Sequence, residues 1–101
     1  MEKYLVTVTK AAERDLMMLK DDNLNRKARE LIKILENNPF RTPSPFKKLH
    51  GQASNMYSRR LNSKNRLVYE VRESPDREYA GIVNIVRMRT HYRFSRLLVL
   101  V

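Results

Sequence analysis

Apolar and polar positions alternate along this chain in two different rhythms, and the change of rhythm predicts its elements. Tyr4 to Thr9 is rich in β-branched and aromatic residues and reads as a first strand. Thr9 then stands where a helix N-cap is needed, its side chain able to accept a first-turn amide. The helix that follows, over about Lys10 to Lys20, puts Ala12, Leu16 and Leu19 on one stripe. Asp21-Asp22-Asn23 breaks it and offers caps for a second helix. There Leu24, Ala28, Leu31 and Leu35 recur at helical spacing, and Ile32 broadens the stripe. Asn37-Asn38-Pro39 ends that helix, since proline cannot continue the helical hydrogen bonds. The pair predicts an antiparallel helical hairpin with its apolar side on a sheet.

After the helices the rhythm shortens to two. Phe40 to Asn55 reads as a linker, marked by Pro39, Pro43 and Pro45 and carrying Lys47, Lys48 and His50. Strands over about Met56–Leu61 and Arg66–Arg72 flank the polar turn Asn62-Ser63-Lys64-Asn65. In the second of them Leu67, Tyr69 and Val71 alternate, which predicts one buried face with Arg66 and Val68 on the other. A turn over Glu73–Arg77 leads to a long strand from Tyr79 to Arg89. Its Ile82, Asn84, Val86 and Met88 are expected on one side; Val83, Ile85, Arg87, Arg89 and His91 are expected on the other. The last residues, Arg93 to Val101, end in Leu-Leu-Val-Leu-Val, too short a run for a membrane span and of no assigned role.

Composition narrows the partners. The 101 residues make one domain, carry a net charge of +10, and contain no cysteine. Residues 1–40 hold eight Lys/Arg against seven Asp/Glu, and residues 41–101 hold thirteen against four, so the excess is +1 and then +9. The positive charge therefore gathers beside the hairpin, where Arg59, Arg60, Lys64 and Arg66 crowd together without a carboxylate. Such a sheet calls for an anionic partner, and phosphate is the natural one. A thiolate nucleophile and a zinc-finger spacing are excluded, and His50 and His91 are too few for a metal site. No basic, strongly amphipathic helix argues for a membrane surface. The N-terminus lacks the apolar run of a signal peptide, so a cytoplasmic protein is expected.

Together, Tyr57-Ser58-Arg59-Arg60-Leu61, Arg66-Leu67-Val68-Tyr69 and Thr90-His91-Tyr92 resemble the YoeB/Txe branch of the RelE toxin superfamily. Asn38-Pro39-Phe40 and Phe46-Lys47-Lys48-Leu49 fit the same branch. The resemblance covers residues 1–92, expected to form the toxin domain, with 93–101 as a C-terminal extension. It implies an α+β, RelE-like fold, β-α-α-β-β-β, with a twisted antiparallel sheet packed on the helical hairpin. It also implies the toxin of a type II toxin–antitoxin pair: a ribosome-dependent endoribonuclease that cuts mRNA at the 30S decoding site and inhibits translation. Implied partners are a YefM/Phd-like antitoxin, acidic and partly disordered, with operator DNA reached only through it and a toxin dimer within the complex. No cofactor is implied.

Metal-free RNA cleavage uses the substrate's 2′-hydroxyl as nucleophile. It needs a proton acceptor for that hydroxyl, a donor for the departing 5′-oxygen, and cations for the phosphorane. By resemblance Arg66 grips the phosphate, His91 is the general acid, and Tyr92 positions or stacks on the substrate. Taken alone, Arg66 is a solvated strand cation and His91 a surface histidine; the pattern raises both. One departure stands out. Lys47 occupies the place of the branch's glutamate base, and a lysine with its ordinary pKa of about 10.4 is a poor base unless cations and burial depress it. Lys47 is therefore a depressed base or a further charge on the phosphorane, and His50 is an alternative base. Lys48, Arg59, Arg60, Lys64, Arg87 and Arg89 are expected to contact the RNA backbone. The competing reading is a catalytically weak or inactive relative that binds RNA or ribosomes, or acts with its antitoxin as a co-repressor on DNA.

Overall fold

The computed structural model describes residues 3–19, 22–42, 45–49, 55–62 and 64–90. Strand β1 (Lys3–Val8) leads into α1 (Lys10–Met18) and α2 (Asp22–Asn37), followed by β2 (Phe46–Lys48), β3 (Met56–Arg60), β4 (Arg66–Arg72) and β5 (Tyr79–Thr90). The strands form one sheet in the order β1-β5-β4-β3-β2. The fold class is the expected α+β one, with two differences. Phe46–Lys48, read as linker, adds a fifth strand antiparallel to β3. And β1 pairs with β5 in parallel, so the sheet is mixed rather than wholly antiparallel.

Local chemistry explains the junctions. Thr9 caps α1 by accepting from the Ala12 amide at 3.0 Å, while its hydroxyl donates to the Val86 carbonyl at 2.8 Å. One side chain thus starts the helix and pins it to β5. The helical stripes meet the sheet as predicted. Ala12, Leu19, Ala28, Leu31 and Leu35 pack on Leu67, Tyr69, Val83, Ile85 and Met88. Each fully buried leucine there contributes about 1.5–3 kcal/mol. The opposite face carries a smaller cluster of Met56 and Val68, with Leu49 and Val86 against it.

Strand β5 departs from simple alternation. Tyr69 lies opposite Ile85, but Val68 lies opposite Arg87 and Arg66 opposite Thr90, so β5 holds two extra residues relative to β4. These irregularities put Met88 in the helix-covered core with Val83 and Ile85, rather than on the side of Val86. They also end the strand with Thr90 level with Arg66. At the same place Asp15 of α1, nearly fully buried, accepts from Arg87 Nε (2.8 Å), Arg87 Nη2 (3.1 Å) and the Met88 amide (2.9 Å).

Candidate anion-binding cleft

The β3–β4 turn brings the cations together. Asn62 Oδ1 accepts from the amides of Lys64 (2.9 Å) and Asn65 (2.7 Å), so the asparagine closes the turn with its own side chain. Leu61 N–H donates to the Asn65 carbonyl, and the register then sets Arg60 directly across from Arg66. Like charges in that relation repel. Arg66 is oriented by Ser58, whose Oγ accepts from its Nε at 2.9 Å. Ser58 is buried and pairs on its other side with Lys47 of β2. A single small residue of β3 therefore stands between the lysine and the arginine.

These residues open onto a cleft of about 470 Å³ lined by Lys27, Pro45, Lys47, Arg60, Leu61 and Arg66. Four of the six carry positive charge and none is acidic. Burial, and then the neighbouring Arg60 charge, lower the Arg66 pKa from its ordinary value. An arginine still keeps its proton. The downward direction reports that holding the charge there costs free energy, which an anion in the cleft would offset.

Lys47, Arg60 and Arg66 thus line one cleft. Lys48 is exposed but follows Lys47 on a strand, and so faces the other side. Lys64 is exposed in the turn, outside the cleft lining. One expected RNA contact, Arg59, is corrected by its burial, and a second, Arg87, has a partner within the protein. Arg59 is fully buried and donates through Nη2 to the carbonyls of Pro39 and Arg41, each at 2.9 Å. Arg87 forms the bidentate pair with Asp15, whose hydrogen bonds hold its pKa above the usual value, and has its carboxylate partner within the protein. The backbone of Arg89 lies in β5, while its side chain, His50, His91 and Tyr92 lie outside the described residues.

Sequence reasoning misses Lys27, because the charges of residues 1–40 nearly cancel and draw attention to the second half of the chain. The signal was present. Lys27 is three residues after Leu24 and four before Leu31, a charge within an apolar stripe. A lysine there reaches a polar outlet with its long stem, and the outlet is the cleft.

Residues 9–92 match the family model of the YoeB-like toxin of bacterial type II toxin–antitoxin systems. The chain belongs to that family. The toxin's fold is close to that of the YoeB/ParE toxin from Agrobacterium tumefaciens, at 23% identity and TM-score 0.75 over 87% of this chain and 99% of that one. It is also similar to the YoeB dimer from Staphylococcus aureus, at 26% identity and TM-score 0.68 over 88% and 98%. The RelE–RelB complex from Pyrococcus horikoshii contains a further relative, at 25% identity and TM-score 0.65 over 89% and 97%. No curated protein matches the sequence. Among the described residues no helix is long and apolar enough to cross a membrane, and no three potential metal-ligating side chains gather.

Proposed function

We propose that this toxin is a ribosome-dependent mRNA endoribonuclease whose cleft receives the scissile phosphate. The observation that carries the reading is the convergence of Lys27, Lys47, Arg60 and Arg66 on a lining with no carboxylate among its described residues. Cations held by fixed backbone elements stabilise the phosphorane's added charge without reorganising. Arg66 supplies a planar fork suited to two phosphate oxygens, its plane set by Ser58. Lys47 takes the 2′-hydroxyl proton or shares the phosphorane charge. His91 and Tyr92 follow Thr90 in sequence, and Thr90 is the backbone partner of Arg66. They are assigned as general acid to the 5′-oxygen and as substrate-positioning residue.

The Staphylococcus aureus YoeB–YefM and Pyrococcus horikoshii RelE–RelB complexes pair such toxins with antitoxins. This chain is assigned a similar partner, an acidic and partly disordered antitoxin that covers the basic cleft, reaches operator DNA on the toxin's behalf, and allows a toxin dimer. Action on ribosomes places it in the cytoplasm. The test mixes the protein with translating ribosomes and a defined message and maps the new 5′ ends. Cuts in the ribosomal A site that disappear in Arg66→Ala and His91→Ala support the reading. The lining also favours a second one: with lysine where the branch has glutamate, the described residues of the cleft include no carboxylate base. Ribosome binding without any cut would establish that RNA-binding module.

A further inference from the structure

Arg59 is a large charged side chain with no accessible surface, an expensive arrangement that needs a reason. Its Nη2 joins two carbonyls of the segment leaving α2, those of Pro39 and Arg41. Helix α2 has no basic residue in its last turn, so this guanidinium from β3 brings positive charge to the helix's negative end. Tyr69 donates to the same Pro39 carbonyl at 2.8 Å. On the other side the guanidinium carbon stands 5.2 Å over the ring of Phe46. Phe46 is also the backbone partner of Arg59 and packs against Phe40 and Tyr57, with centroids 5.9 Å away in each case.

Strand β2 is three residues long and, among the described residues, pairs only with β3, which is little backbone pairing to fix its position. Beyond its end, Leu49 N–H donates to the Met56 carbonyl at 2.9 Å and its side chain packs against Met56 and Val68; on the other side of Lys47 the anchor is Phe46, the residue just before it. We infer that Arg59 is a positioning residue: by clamping Phe46 and the 39–41 segment together, it sets where Lys47 enters the cleft. The inference rests on the nuclease reading for its effect on rate, and on the fold alone for its effect on Lys47. Arginine is required because one planar group must donate to two carbonyls while stacking on a ring; a lysine keeps the charge without that geometry.

The test compares wild type with Arg59→Lys, Phe46→Leu, Lys47→Ala and the Arg59→Lys/Lys47→Ala double variant. Amide NMR of the folded proteins should show the signals of residues 46–48 displaced in Arg59→Lys. Cleavage on ribosomes should fall by up to ~10²-fold, mainly in kcat, since a misplacement near 1 Å costs about that much. In the Lys47→Ala background Arg59→Lys should cost nothing further, because the positioned group is gone. Unmoved amides in the folded variant overturn the inference, and so do losses that multiply across the two substitutions, which a merely structural arginine would give. Phe46→Leu removes the ring under the guanidinium and carries the same readouts if Arg59→Lys does not fold. If wild type cuts no message the nuclease reading falls, while the amide displacement still decides the positioning.

Discussion

Lys27→Ala tests whether the cleft, rather than the overall positive charge, holds RNA. The described lining contains four cations, and each phosphate neutralised on a single strand contributes about −0.7 to the slope of log K against log salt. Full engagement of all four gives a slope of about −2.8, so binding weakens roughly 50-fold between 50 and 200 mM salt. Without Lys27 the slope falls to about −2.1, and the same change in salt costs roughly 18-fold. Fluorescence anisotropy with a short single-stranded RNA over that range measures both slopes. Lys33→Ala is the control, because it removes the same charge from the same helix at an exposed position outside the cleft lining. It should leave the slope within about 0.2 of wild type, on the counterion argument above. Equal changes for Lys27→Ala and Lys33→Ala would show that RNA reads only the net charge of +10, and the cleft argument would fail.

Three further substitutions probe the scaffold. Asp15→Ala strips the Met88 amide of its acceptor in a buried site and breaks the pair with Arg87. The Arg87 side chain is 43% exposed and can rehydrate, so the loss should be about 2–3 kcal/mol rather than the full cost of breaking a buried ion pair. Urea unfolding measures it, and a loss below about 1 kcal/mol would contradict the assigned hydrogen bonds. Burial raises the Tyr69 phenol pKa above its ordinary value of 10.0, so the folded state favours the protonated form. That stabilisation is present below pH ~10 and is lost as pH rises toward the folded pKa. Stability should therefore fall more steeply above pH ~10 in wild type than in Tyr69→Phe, in paired urea titrations. In Gly81→Ala the new Cβ would lie 2.8 Å from a Tyr4 ring carbon and 3.0 Å from the Arg72 carbonyl oxygen. The ring can turn but the carbonyl belongs to β4, so thermal melting should show a loss of about 1–3 kcal/mol, only partly recovered by adding Tyr4→Ala.

The amino-acid pattern by itself determined the elements whose signals are local. Thr9 caps its helix through a contact three residues away, and Asn62 closes the hairpin through contacts two and three residues away. The Leu24–Leu35 stripe and the Leu67-Tyr69-Val71 alternation each state which side is buried, since helix and strand geometry repeat over a few residues. The grouping of Arg60 with Arg66 followed from the turn, and that of Lys47 with them from family resemblance.

Tertiary structure decided the rest. Strand β2 has three residues and no periodicity of its own; it exists because β3 offers an edge and Phe46 finds Arg59, Phe40 and Tyr57. The irregularities in β5 carry no glycine or proline to announce them, and only pairing with β4 reveals that Met88 turns inward. The cations illustrate the general reason. Arg59, Arg60, Arg66 and Arg87 look alike in sequence, yet one is buried under two carbonyls, two face an open cleft and one is held by Asp15. A charge is assigned its work by the groups that surround it: for Arg66 a hydroxyl 8 residues away, for Arg59 carbonyls 18 and 20 residues away, and for Arg87 a carboxylate 72 residues away.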